Sequence, residues 1–397
     1  METLIELLDA RPADNVLAPQ TFCPKRLIYL CGLNTGGGII KGIRSFIKRR
    51  LPQCSVIFLS ADMEDQKAIY DKLNRIFRVT GGGTIDITGG GEAAAFAAGM
   101  LCAEYRVPVI SYDFENRRFK NVKYASFVRE NLPRPTITIP ELFEIAGAKV
   151  EGFGRIAPDE IVAWTDTIKA IWEIFLQHMS GWTRFTAWLQ AAASSAKNAG
   201  YPENIRYPSS VKRTGKDKLQ ANMRILRKLN AAGIITNFKY KKPMVSFEFT
   251  NSKMPALLSD AGVWLELICW VCCREADFFD DCAASVIVNW MAHEAGKAGT
   301  TYNEIDCVAV KWPKSLFISC KLSIPSASAL NEIRTLSSRF GGCDTTAVLM
   351  TMGDASSEPY FSQRAADLGI RVIDRKTLSY AHQGILSALL RSIASEG

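Results

Sequence analysis

A chain of 397 residues is too long for one ordinary domain and sets an expectation of two or three. Its 48% apolar and 22% charged residues belong to a globular protein with real cores, which excludes a disordered chain, and no run of about twenty apolar residues is present to span a bilayer. The formal charge of +8 is moderate, so the placement of the bases matters more than their sum.

The N-terminus, Met1-Glu2-Thr3-Leu4, carries an acid where a secretory leader carries bases. Eleven cysteines, an odd number scattered through apolar runs, read as reduced thiols, and both features predict a cytoplasmic protein. A short apolar run at 4–8 leads into a turn-rich loop, Asp9-Ala10-Arg11-Pro12-Ala13-Asp14-Asn15. Buried strands are predicted at 26–32, 54–60, 84–88 and 107–112, alternating with helices at 39–50, 63–77 and 92–105. That alternation predicts an α/β class with a parallel sheet covered on both faces.

Two Gly-rich turns follow predicted strands: Asn34-Thr35-Gly36-Gly37-Gly38 and Thr88-Gly89-Gly90-Gly91-Glu92. Successive glycines let backbone N–H groups approach an anion, and a helix N-terminus adds a favourable dipole. Neither turn has the Gly-Lys-Ser/Thr ending of a P-loop or a full G-x-G-x-x-G. A nucleotide in a sheet crevice is expected, a kinase or dehydrogenase is not, and each cluster alone equally marks a tight turn.

Pro133-Arg134-Pro135 marks a boundary, and 158–200 reads as helical, with Trp164, Ile168, Ile171, Trp172 and Phe175 forming a core stripe. Bases then crowd at Lys212, Arg213, Lys216, Lys218, Arg224, Arg227 and Lys228, followed by Lys239, Lys241 and Lys242. Such a run is a solvated helix face that also suits a polyanion. A basic helix over 216–232 and a hairpin of 234–240 with 243–250 read either as a winged-helix-like module or as a structural spacer.

From about residue 256 the pattern is again α/β. A helix around Glu266 is followed by strands at 284–290, 304–310 and 316–322, a helix at 328–340, a strand at 345–350, a helix at 362–368 and a strand at 371–373. Glu266 lies in an apolar segment, and burying an unpaired carboxylate costs several kcal/mol, so it needs a partner or a metal. A period of two puts Glu304, Asp306, Val308 and Val310 on one face, and Phe317, Ser319 and Lys321 on one face of the next strand. Paired as a hairpin, the strands bring Asp306 and Lys321 together beneath Glu266. Carboxylates so placed suit Mg²⁺ or Mn²⁺, which stabilises charge on phosphorus and acidifies a bound water that the lysine orients. Each residue has a plainer reading: an ion pair for Glu266, a cap for Asp306, a snorkelling strand lysine for Lys321. Cys269-x-x-Cys272-Cys273 is half a zinc site at most and reads as helix packing.

Gly262-Val263-Trp264-Leu265-Glu266, Asn303-Glu304-Ile305-Asp306 and Ile318-Ser319-Cys320-Lys321 resemble the PD-(D/E)xK nucleases, in particular the group fused to a CARF domain in type III CRISPR effectors. Phe340-Gly341-Gly342 and the segment from Arg364 to Ile370 resemble that group too, so the likeness covers the C-terminal domain. The order of elements around 4–8, the first loop and the Thr88 turn is similar to a CARF domain. The resemblance implies a Rossmann-like CARF sensor over 1–140, a helical and winged-helix-like region over 141–255, and a restriction-endonuclease-like domain over 256–397. It further implies a homodimer with no membrane association, activated by a cyclic oligoadenylate, cyclic tetra-adenylate foremost, bound across the two-fold axis. Ala10, Arg11 and Asn15 would contact the ring from the first loop, Thr35 and Gly36 from the second, and Thr88, Gly89, Gly90, Gly91 and Glu92 from the third. Glu266 and Asp306 would hold the metal, Lys321 would serve catalysis, and single-stranded DNA or RNA would be cleaved in antiviral defence.

Two positions depart from the pattern. Ser319 stands where the family has a glutamate, and a hydroxyl is a poorer ligand for a hard cation than a carboxylate. Some relatives of the fold with serine there recruit a glutamate from the following helix, so the resemblance points to Glu332, with Glu304 second. Glu92 and Ala93 follow the Gly turn where family members often carry lysine. A rival reading is a nucleotide-sensing, DNA-binding regulator with an inactive nuclease fold. A third is a sensor that degrades its own activator, for which no suitably placed histidine is evident.

Overall fold

The computed structural model describes residues 1–8, 11–129, 131–154, 158–195, 204–212, 218–290, 302–342 and 344–396. In the N-terminal part, β1 (Thr3–Leu7), β2 (Arg26–Gly32), β3 (Ser55–Ala61), β4 (Thr84–Asp86) and β5 (Val109–Asp113) are parallel, in the order β3-β2-β1-β4-β5. All five residues of β1 are buried, as a central strand covered on both faces requires. The covering helices are α1 (Leu17–Phe22), α2 (Gly37–Arg50), α3 (Gln66–Thr80) and α4 (Gly91–Tyr105). The helix predicted at 63–77 starts later because Asp65 caps it, accepting from the Lys67 and Ala68 N–H groups. An antiparallel strand that the apolar pattern does not predict, β6 (Arg118–Lys123), closes the edge with its bases exposed. Strand order reverses between β1 and β4, which opens a crevice at the carboxyl ends of the strands.

The middle of the chain holds α5 (Ile139–Ile145), β7 (Lys149–Phe153), α6 (Pro158–Ala163), α7 (Thr165–Gln177) and α8 (Met179–Ser195). Next come β8 (Asn204–Pro208), β9 (Ser210–Lys212), β10 (Lys218–Gln220), α9 (Met223–Ala231), β11 (Ile235–Lys241), β12 (Met244–Phe249) and α10 (Met254–Leu258). The basic helix predicted over 216–232 is shorter. Lys218–Gln220 pairs as a strand with Ser210–Lys212, and α9 begins only where Asn222 caps the Arg224 and Ile225 N–H groups. Arg213 and Lys216 lie outside the described residues. The predicted hairpin is formed by β11 and β12, with β8 as its third strand.

The C-terminal part contains α11 (Val263–Glu275), β13 (Asp281–Asn289), β14 (Tyr302–Lys311), β15 (Lys314–Lys321), α12 (Ala327–Phe340), β16 (Thr345–Thr351), α13 (Pro359–Asp367), β17 (Ile370–Ile373), α14 (Arg375–Tyr380) and α15 (Gln383–Ser395). Its six-stranded sheet runs β17-β16-β15-β14-β13-β7, so β7, from within the 141–255 stretch, supplies an edge strand. α11 packs against α7, α15 and one face of the sheet, while α12 and α5 lie with the core on the other face. That second core continues into the N-terminal sheet through Tyr29, Phe46, Phe143, Phe317 and Phe340. No described helix is long and apolar enough to cross a membrane.

Candidate functional site

Lys311 pairs with Lys314, which leaves Trp312-Pro313 as the turn of the β14–β15 hairpin. The hairpin carries Asp306 to Lys321: Asp306 Oδ2 accepts from Lys321 Nζ at 3.1 Å, from the Cys320 N–H at 2.6 Å and from the Ser319 hydroxyl at 3.2 Å. Burial opposes the charged form of Lys321, but the Asp306 carboxylate outweighs it and raises the lysine pKa, so the lysine keeps its proton. Ser319 therefore faces the carboxylate as a donor.

Simple alternation does not describe this stretch of β14. Ile305, Val308 and Val310 share one core, and Cys307 and Ala309 the other, so the alternation slips at Asp306. The same slip occurs on β13 between Ala284 and Val286, at Ser285, whose φ is +49°. The flanking pairs Ala284 with Cys307 and Val286 with Ile305 set Ser285 opposite Asp306. Two adjacent strands are kinked together, and the kink turns Ser285 towards α11, where its hydroxyl donates to Glu266 Oε2 at 2.9 Å.

Glu266 is placed by the first turn of α11, surrounded by buried Val263, Trp264, Leu265 and Leu267. Burial, then the charges of Asp306, Glu304 and Asp260, push its pKa up to about 7, against the Ser285 hydrogen bond. A cavity of about 130 Å³ in front of it is lined by Asp260, Ser285 and Glu304. A smaller one, of about 30 Å³, is lined by Glu304, Asp306, Ser319, Lys321 and Glu332. Glu304 borders both cavities. Glu332, on α12, borders only the second and accepts from Asn303 Nδ2 at 3.0 Å. Asp260 and Ser285 were missed by sequence reasoning, which had no signal for a strand kink or for a loop acid three residues ahead of α11.

The donor set fits a hard divalent cation. Oxygen ligands gather here, and after burial it is the neighbouring carboxylates Asp306, Glu304 and Asp260 that push the Glu266 pKa up. Among the described residues, the one group of three potential ligand atoms all within 4.8 Å of one another is a different set, the thiols of Cys269, Cys273 and Cys307. Those thiols are wholly buried between α11 and β14, in the core behind the carboxylates.

In the N-terminal crevice the two Gly turns differ. Asp86 Oδ1 accepts from the Thr88 N–H at 2.8 Å and from the Thr88 hydroxyl, which in turn accepts from the Tyr112 N–H at 2.8 Å. Gly90, at φ +84°, lies so close to β1 that a Cβ would stand 2.5 Å from that of Leu7. Glu92 occupies the first turn of α4, where a carboxylate competes with any anion for the helix dipole. The other turn leads into α2, whose first turn carries no acid, and its Asn34, Thr35 and Gly36 line a cavity of about 400 Å³. In the first loop, Arg11 pairs with Asp14 at 3.5 Å, and Asn15 Nδ2 donates to the Arg11 carbonyl. Ala10 lies outside the described residues.

No protein-family model matches the chain, and no curated protein matches it by sequence. Solved structures do match in fold. The protein VC1899 from Vibrio cholerae superposes with a TM-score of 0.75 at 17% identity, covering 100% of this chain and 99% of its own. Can2 from Sulfobacillus thermosulfidooxidans, solved in complex with cyclic tetra-adenylate, superposes with a TM-score of 0.68 at 16% identity, covering 99% of each chain. The α/β architecture is thus shared from end to end with both.

Proposed function

We propose that the chain is a cyclic-oligoadenylate-activated, metal-dependent nuclease of CRISPR defence, acting as a homodimer on single-stranded DNA or RNA. The observation that carries this reading is the Asp306–Lys321 pair on a kinked hairpin, with Glu266 facing it from α11. Glu266 and Asp306 would hold Mg²⁺ or Mn²⁺, which supplies positive charge to the scissile phosphate and acidifies a water. Lys321, kept protonated by Asp306, contributes a fixed cation beside the phosphate and orients the attacking water. Ser319 and the Cys320 N–H hold the Asp306 carboxylate in register. Glu304, bordering both cavities, is the better placed of the two substitutes for the family glutamate, ahead of Glu332. The fold shared with Can2, which was solved with cyclic tetra-adenylate, supports that ring as activator. Exposed Arg224 and Arg227 on α9 suit a polyanion and serve a nuclease or a regulator equally.

The test is incubation of the full chain with labelled single-stranded DNA and RNA, Mn²⁺ and each cyclic oligoadenylate in turn. Wild type should cleave only with metal and activator, and Asp306→Ala and Lys321→Ala should each lose roughly a hundred-fold or more with the fold intact by circular dichroism. Wild-type turnover by Asp306→Ala at matched Mn²⁺ would remove the site. A footprint on one duplex sequence without cleavage would favour the regulator.

A further inference from the structure

We propose that Arg339 and Trp290, both outside the N-terminal domain, complete the activator site, Arg339 binding a phosphate and Trp290 receiving a purine. The proposal rests on the activated-nuclease reading above and adds to it a route between the two sites. The cavity of about 400 Å³ at the carboxyl ends of β1 and β2 is walled on one side by Asn34, Thr35 and Gly36. Trp290, at the end of β13, and Arg339, near the end of α12, wall the other side. Its volume falls in the range of about 300–1,000 Å³ usual for small-molecule sites, room for one nucleotide unit of a ring shared between two chains.

Among the described residues Arg339 is the one charged residue in that lining, and it is exposed. It makes no ion pair or hydrogen bond with any described residue. Other arginines near the domain junction are engaged: Arg11 by Asp14, Arg49 by Glu144 and Glu141, and Arg50 by Glu141. A guanidinium with no partner among the described residues, in a cavity whose described lining holds no carboxylate, is matched by a phosphate, which it can bind through two N–H groups. Trp290 packs edge-on against Phe340 at 5.1 Å between ring centres and adds an aromatic surface of the kind on which bases stack.

The helix that carries Arg339 also carries Glu332, seven residues or about 10 Å earlier, beside Asp306 and Lys321. Just beyond its end, Gly342 is pressed against the first loop: a Cβ there would lie 2.5 Å from Asp14 Oδ1. The end of α12 and the residues after it thus lie by the first and second of the three loops, and Glu332 on the same helix borders the proposed cleavage site. A phosphate that draws in Arg339 biases the position of Glu332.

The experiment is calorimetric titration of full-length protein with cyclic tetra-adenylate at low and high salt. The set comprises wild type, Arg339→Ala, Arg339→Lys and, as a control on the same helix, Arg334→Ala. Arg339→Ala should weaken binding by about ten-fold or more and flatten its salt dependence, with Arg339→Lys intermediate and Arg334→Ala unchanged. Because Arg339 has no partner among the described residues, the melting temperature should not move. Binding by Arg339→Ala within about two-fold of an activated wild type overturns the assignment and leaves the nuclease reading standing. Failure of wild type to bind any cyclic oligoadenylate removes the activator reading and this assignment with it.

Discussion

Asp86 and Glu6 face one another across β1 and β4, both almost wholly buried, beneath the turn that begins at Thr88. Burial raises the Asp86 pKa to about 6 against the two hydrogen bonds from Thr88, and burial with the Asp86 charge raises Glu6 well above its ordinary value. Between the ordinary 3.8 and about 6, the folded chain keeps a proton that the unfolded chain has shed. Stability therefore falls as pH rises through that window and stays low above it, a cost of roughly 3 kcal/mol for a shift of this size. Asp86→Asn keeps an acceptor for Thr88 and removes the charge. Its melting temperature should exceed that of wild type by a margin that grows from pH 4.5 to about 6.5 and then levels; a constant margin would sink the argument. Neither residue stands out in the sequence, because a single acid in a short apolar strand resembles any edge position. Asp306 and Lys321 were legible, since a hairpin with a two-residue turn fixes which side chains meet. Ser319 was legible as a departure but not as a donor to Asp306, and Ser285 was invisible, because nothing in its neighbours predicts a positive φ.

At the scale of elements, the parallel strands were legible where an apolar run marks them: 26–32 matches β2 residue for residue. Helix starts moved wherever a side chain captured backbone N–H groups, as Asp65 and Asn222 do. β6 and β7 were not legible, since β6 is largely exposed, β7 only half-buried, and the place of β7 depends on a partner distant in sequence. How closely elements approach was hidden too. In α2, a Cβ on Gly42 would lie 1.8 Å from the Glu144 carbonyl oxygen of α5, whereas Gly99 in α4 has nothing within 4 Å. Gly42→Ala must push two helices apart and should destabilise by about 2 kcal/mol or more, in the range of overpacked cores. Gly99→Ala gains helix propensity in open space and should stabilise by about 0.5–1 kcal/mol. Urea denaturation of both variants checks the pair; equal effects would mean that α2 and α5 do not pack as described.

At the scale of the molecule, the cores do not respect the order of the chain: one of them joins the N-terminal sheet to the C-terminal one, so the N-terminal crevice and the Asp306–Lys321 pair lie against one continuous packed interior. One apolar face that a single chain leaves uncovered is that of α4. Phe96 and Met100, 62% and 42% exposed, lie one turn apart on the helix that begins at the Thr88–Gly91 turn. Paired apolar side chains beside an expected ligand crevice suit burial by a second copy, which would also set two crevices around one ring. Light scattering should give a mass of two chains, and calorimetry one cyclic tetra-adenylate per two chains. Phe96→Ser with Met100→Ser should shift the mass towards one chain and weaken ring binding together, because each chain would then offer half a site. Val79→Ser, at an 80% exposed position on α3, removes comparable apolar surface elsewhere and should change neither. If the double variant stays dimeric with full affinity, α4 is not the interface. If wild type binds one ring per single chain, the shared crevice itself is wrong.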